Sequence, residues 1–266
     1  MIIANPIYDV TFKTLLENNR VAKFLIGTIL DCKVLSLEPN IQEYPATDEE
    51  TKKISLFRKD FSAVIKTKEE GERRVIIELQ KAKNLTDVFR FTRYLGHEYT
   101  KTKHPIIAIY ILGFNLSVDA PAFMAKPDCW NLMTNEKIEE RDPFVEQLTH
   151  KAYFIQTKRL NLGFNTRLEQ VLAPFEQTNF IGNDQTTKSF MFETDDEDMQ
   201  EYLRVLQYVA ADEEKRKQLE IENYNAIELD GIFGKQIAKI EEQAEMLKEK
   251  DKELEELRKL VETLKK

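Results

Sequence analysis

Two cysteines, Cys32 and Cys129, stand far apart in unrelated contexts. A disulfide framework is thereby excluded, and both are expected to be reduced, buried thiols of a cytosolic protein. Histidine is equally scarce: His97, His104 and His150 are scattered and offer no zinc-type cluster. No stretch is apolar for the length of a bilayer span. The opening MIIANPIYDV lacks a basic region followed by an apolar one, so no signal peptide is read. The expected setting is the cytoplasm, with no membrane partner.

What is present is charge, and it is unevenly spread. The net charge is −8, with 32% charged and 42% hydrophobic residues, an ordinary balance for a globular chain with a polar extension. From Thr51 to Lys103 there are 14 Lys and Arg against 7 Asp and Glu, a balance of +7. From Glu193 to the end there are 13 against 22, a balance of −9. The basic segment is the part suited to phosphate, and the acidic end must serve another purpose.

Apolar spacing from Tyr8 to Asp31 predicts one or two amphipathic helices, with a break near Glu17-Asn18-Asn19. Lys33 to Leu37 is expected as a short strand, and Tyr44 to Lys53 as a loop. From Ile54 to Thr67 the pattern alternates: Phe57, Phe61, Ala63 and Ile65 on one side, Arg58, Asp60, Ser62 and Val64 on the other. Lys68 to Glu72 signals a turn, and Arg73 to Gln80 alternates again, so the pair is a hairpin. Leu85 to Lys101 returns to helical spacing, with Val88, Phe89, Thr92, Leu95 and Tyr99 on its apolar side. Ile106 to Leu112 is a nearly continuous apolar run that suits a buried strand. Residues 119–182 are expected as helices and loops around Pro121, Pro127, Pro143 and Pro174, with Trp130 as a packing anchor. Glu193 to Tyr224 reads as a highly charged helical stretch.

The last thirty residues differ in kind. Ile237, Ile240, Ala244 and Leu247 follow 3-4-3 spacing, and Leu254, Leu257, Val261 and Leu264 repeat it after a phase shift near Asp251. A short coiled coil that joins copies of the chain is predicted, with a solvated single helix as the alternative. The expected organisation is therefore a core over residues 1–118, a mostly helical extension over 119–235 that could complete it, and a coiled coil over 236–266.

The chemistry concentrates in the hairpin. Asp60 and Glu78 have their midpoint at residue 69, inside the expected turn, so a symmetric register sets them opposite each other. Opposed side chains lie about 4.5–5.5 Å apart at Cβ. Two carboxylates at that spacing repel unless a proton or a cation intervenes. Mg²⁺, or Mn²⁺ in its place, favours such oxygen ligands, lowers the pKa of water and polarises a phosphodiester. An exposed acidic pair without a metal is the plainer reading of the same pattern. Gln80 shares a strand face with Glu78, whereas Lys81 falls on the other.

The following helix adds a cationic stripe of Arg90, Arg93, Tyr94, His97 and Lys101, preceded by Lys81 and Lys83. Arg forks suit phosphate, and Tyr94 can donate a hydrogen bond or stack on a base. A basic solvent-facing helix is the alternative.

The order helix, three strands, helix, strand, with Asp60, then Glu78-Leu79-Gln80, then Arg90 and Tyr94, resembles the PD-(D/E)XK nuclease superfamily. It is most similar to a bacterial branch of recombination-promoting, transposase-like nucleases. The segment from Asp9 to Lys13 is similar to that branch's D-x-x-F-K signature, and the stretch IELQKAK to its E-x-Q motif. The resemblance covers roughly Asn5 to Gly113. It implies an α/β (mixed α+β) fold with a restriction-endonuclease-like αβββαβ core, a helical C-terminal region and a terminal coiled coil. It also implies Asp60 and Glu78 as ligands of Mg²⁺ or Mn²⁺, with Gln80 where most of the superfamily has a catalytic lysine. Asp9 and Lys13 would complete the catalytic set, and Lys81, Lys83, Arg90, Arg93 and Tyr94 would hold DNA. Asp9 and Lys13, at i and i+4, can instead simply pair with each other.

The expected activity is thus metal-dependent DNA cleavage serving recombination or mobile elements. The competing expectation, motivated by Gln80 and by the acidic tail, is a non-catalytic nuclease-fold scaffold. Such a scaffold would bind nucleic acid or protein and oligomerise through its coiled coil. A three-carboxylate transposase of the RNase-H-like kind is set aside, because no clear third acid follows on a later helix.

Overall fold

A computed structural model describes residues 1–39, 56–67, 71–82, 99, 104–126, 128–138, 150–180 and 185–228; at 56–60 and 78–82 the description is of backbone and register. The chain divides into two compact units, Met1–Glu220 and Ile221–Lys266. Of the second, residues 221–228 are helical, and the coiled coil predicted for 236–266 lies outside the described residues.

The first unit is mixed α/β. Strand β1 (Ile2–Ala4) leads into helices α1 (Asp9–Glu17) and α2 (Asn19–Ile29). The break expected near Asn18 falls at that residue, and its side chain caps α2 by accepting from the Val21 amide at 3.3 Å. Helix α2 ends tightly. Asp31 adopts φ 48°, and the Cys32 amide donates back to the Gly27 carbonyl at 3.0 Å, the pattern of a left-handed helix stop. This closure turns the chain directly into β2 (Lys33–Pro39).

Strands β3 (Leu56–Thr67) and β4 (Gly71–Ala82) form the long hairpin, and β5 (Ile106–Leu112) follows. Then come β6 (Ala122–Ala125), a two-residue ribbon of β7 (Cys129–Trp130) and β8 (Lys137–Ile138), and β9 (Lys151–Gln156). Helix α3 (Arg167–Leu172), strand β10 (Thr187–Ser189) and helix α4 (Glu197–Ala211) complete the named elements, and residues 213–220 are also helical. The main sheet runs in the order β2-β3-β4-β5-β9-β6. Its first three strands are an antiparallel meander, β5 and β9 run parallel to β4, and β6 closes the edge antiparallel.

Residues 119–182 therefore depart from the helical expectation. Among the described residues they supply two strands of the main sheet, and their one α-helix spans Arg167–Leu172. A second departure concerns Cys129 and Trp130. Both were expected inside, yet Cys129 is exposed and Trp130 is 53% exposed; Cys32 is only half-buried. The reason is local: they sit on the β7–β8 ribbon, whose two-residue strands lie outside the main sheet.

The main core lies on one face of the sheet. Phe61, Ala63 and Ile65 of β3, Val75 and Ile77 of β4, and Ile107, Ile109 and Ile111 of β5 pack there with Phe12, Leu15, Leu25, Tyr202 and Leu206 from the helices. Each large apolar side chain so buried contributes about 1.5–3 kcal/mol. The other face carries smaller clusters: Ile76 with Ile106, and Ala108, Tyr110 and Leu112 with Ala152. Strand alternation alone produces this division.

Candidate active site

The β3–β4 register pairs twelve positions without a slip, from Leu56 with Ala82 to Thr67 with Gly71. Gly71 carries φ +68°, a left-handed conformation that glycine adopts at little cost just past the turn. This register sets Asp60 opposite Glu78 and Arg58 opposite Gln80, while Lys81 lies opposite Phe57. Positions 60, 78 and 80 therefore share one strand parity, the one opposite to the Phe61–Ile77 core.

The row continues across the sheet. Glu78 pairs with Ala108, Ala108 with Ala152, and Ala152 with Ala125 of the edge strand. No bulky residue thus stands beside the acid pair toward β6. Two residues further along, the row reads Arg58, Gln80, Tyr110, Phe154, Phe123. Tyr110 stacks on Phe154 with centroids 4.9 Å apart, and Phe123 stacks on the same ring at 4.9 Å. This aromatic ladder stiffens the sheet one step beyond the acids.

Asp9 and Lys13 are placed differently. Asp9 opens α1, where its charge favours the helix N-terminus, and Lys13 is exposed one turn later. Helix α1 buries Phe12, Leu15 and Leu16 in the core on the Phe61–Ile77 face. The register thus brings positions 60, 78 and 80 together and does not by itself bring Asp9 or Lys13 to them. Both side chains have partners of their own. Lys83, Arg90, Arg93 and Tyr94, with His97 and Lys101 of the same stripe, lie outside the described residues.

Among the described residues no group of three His, Cys, Asp or Glu side chains suits a metal ion. The opposed positions 60 and 78 offer two carboxylates, which is the number that Mg²⁺ commonly takes from a protein beside water and substrate oxygens. The donor set therefore fits a hard divalent cation and not a soft one.

A broad groove opens at the turn end of the hairpin, lined by Arg20, Lys23, Lys33, Lys66 and Arg167. Its cations are largely answered in place. Arg20 pairs with Asp198 at 2.6 Å, Arg167 with Asp196 at 2.9 Å and Lys66 with Glu72 at 3.2 Å. Such a surface holds little surplus charge for phosphate.

One pair escaped the sequence reading. The Tyr99 hydroxyl lies 3.0 Å from Nδ1 of His150, with the two rings edge to face. Tyr99, helical as expected, was assigned to an apolar face and is instead 37% exposed. Burial without a countercharge holds His150 below its ordinary pKa, so its neutral form is favoured. A contact across fifty residues leaves no mark in local spacing.

Comparison with protein families, with curated proteins and with solved structures finds no match to this chain. The class defined by the coordinates is a mixed α/β protein with a six-stranded sheet. No described helix is long and apolar enough to cross a membrane.

Proposed function

We propose that the chain is a metal-dependent DNA endonuclease with a restriction-endonuclease-like core, acting in recombination or element mobility. The observation that carries this reading is the unslipped register that sets Asp60 opposite Glu78, with Gln80 two residues on. The meander β2-β3-β4 followed by parallel β5 supports it, since the αβββαβ order requires that arrangement. In this reading Asp60 and Glu78 hold Mg²⁺ or Mn²⁺, which polarises the phosphodiester and acidifies water. Gln80 orients the attacking water through its amide. The charge that a lysine would bring comes from Lys13, Lys83, Arg90 or Arg93, and Lys81 serves the DNA backbone from its neighbouring position. Asp9 adds a further carboxylate, and Tyr94 stacks on or hydrogen-bonds to substrate. Copies of the chain associate through residues 236–266.

The test is plasmid cleavage with Mg²⁺, with Mn²⁺ and with EDTA. Asp60→Ala and Glu78→Ala are each expected to cost at least about a hundredfold, the scale of losing a principal electrostatic stabiliser. Cleavage that survives both substitutions and EDTA would remove the nuclease reading. The scaffold reading, favoured by the amide at position 80, would then stand if DNA binding persisted without cleavage.

A further inference from the structure

We propose that Tyr99 and His150 form a pH-responsive latch that holds the β4–β5 connection against the sheet face carrying positions 60 and 78. The catalytic part of this inference rests on the nuclease reading above.

The topology supplies the first reason. Strands β4 and β5 are parallel neighbours, so the chain must return the length of the sheet between Ala82 and Ile106. Tyr99 belongs to that return, is helical, and reaches His150, the residue just before β9. Ile107 pairs with Lys151, so position 150 falls level with Ile106 and Ile76, one alternation below Ala152. By strand parity it shares a face with Ala152 and Phe154, and so with positions 60 and 78. The contact thus ties the return segment to the acid pair's own face.

Distance defines the role. His150 lies one alternation, roughly 7 Å, along the strands and two strands, roughly 10 Å, across from position 78. It cannot touch the reacting atoms. It is a positioning residue, and so is Tyr99. In sequence, Arg90, Arg93 and Tyr94 precede Tyr99 by five to nine residues. Whatever fixes Tyr99 therefore limits where those side chains can act.

Chemistry supplies the pH response. Neutral His150 accepts the Tyr99 hydroxyl at Nδ1 when Nε2 carries the proton. Protonation turns Nδ1 into a donor, forces the hydroxyl to rotate, and leaves an imidazolium half-buried. Desolvation is the cause resolved for its lowered pKa, and no charged group contributes among the described residues. The nearest titratable groups on the packed strands are His104, two residues before β5, and Lys151, on the opposite alternation. The sign follows directly. A histidine whose folded pKa is depressed holds the latch closed above the ordinary value of about 6.5 and weakens it as pH falls.

The experiment is amide hydrogen exchange over residues 83–103, corrected for intrinsic rates, at pH 7.5 and pH 5.5. It is run on the full chain, with plasmid cleavage in Mg²⁺ measured alongside. In the wild type, exchange should quicken roughly three- to tenfold at the lower pH, the scale of one hydrogen bond. His150→Asn keeps an acceptor near the Nδ1 position but does not titrate, and should hold exchange slow at both values. Tyr99→Phe should be fast at both. Cleavage should fall with acid in the wild type, less in His150→Asn, and vanish at every pH in Asp60→Ala. Exchange that is flat in the wild type, or that titrates equally in His150→Asn, overturns the latch whatever the cleavage result. A titrating latch in a protein with no Asp60-dependent cleavage sustains the latch and overturns its catalytic role.

Discussion

Asn5 and Gln177 exchange two hydrogen bonds through their side-chain amides, at 3.0 and 3.1 Å. Asn5 is 1% exposed, and its remaining bonds run to the Gln185 carbonyl at 2.9 Å and from the Ile7 amide at 3.1 Å. Every polar atom of the side chain is used, and it joins the segment before α1 to residues more than 170 positions away. Asn5→Ala leaves several buried partners unsatisfied and should cost about 2–4 kcal/mol. Urea unfolding measures this directly. A loss under about 1 kcal/mol would mean that water or a shifted backbone replaces the amide.

Gly27 is held by its neighbour rather than by its own dihedral. A Cβ there would meet the Cys32 carbonyl oxygen at 2.9 Å. In an open helix, Gly→Ala gains roughly 1 kcal/mol. Here Gly27→Ala should lose about 1–3 kcal/mol, because the clash is with backbone and the α2–β2 turn must open. A urea midpoint raised by the substitution would contradict the tight closure.

Lys188 is buried, with Nζ donating to the carbonyls of Ala173 and Glu176 at 3.2 Å each and lying 4.4 Å from the Phe180 ring centre. Burial lowers its pKa to about 8, against a smaller opposing pull from Glu176. The unfolded chain, with an ordinary lysine near 10.5, then binds more protons between these values. Stability should therefore rise as pH climbs from about 8 to 10.5. Comparing urea midpoints of the wild type and Lys188→Met across that range isolates the effect. If the difference between the two proteins does not change with pH, the ammonium is not desolvated as described.

Position 80 offers a chemical test of the proposed site. Gln80→Leu removes the amide and should reduce cleavage roughly ten- to a hundredfold with little change in stability. Gln80→Lys restores the charge common in the superfamily and should retain metal-dependent cleavage. Equal activity of the leucine variant and the wild type would exclude Gln80 from the chemistry.

Local features were legible in sequence. The α1–α2 break was visible because Asn18 is a good cap and the apolar phase restarts after it. The opposition of Asp60 and Glu78 followed from the turn alone, since one fixed point sets an antiparallel register. The burial of β5 was readable from its composition. Long-range pairings were not. Strand β9 owes its place to β5, some forty residues earlier, and β10 to β1 near the start of the chain. Residue type misled at Trp130 and Cys129, because burial depends on a second layer that a narrow ribbon lacks. The Tyr99–His150 contact belongs to the same class of facts.

Ile2, Ile3 and Ala4 pair with Ser189, Lys188 and Thr187. During synthesis, the first residues to leave the ribosome must wait for nearly the last of this unit before that ribbon can zip. Such closure slows folding and leaves the opening segment exposed meanwhile. It also rules on dissection. A fragment cut after Gly113, the span that carries the motif resemblance, would strip β9 and β6 from one side of the sheet and α4 from the main core. Protein engineers should therefore treat residues 1–220 as the smallest portable piece.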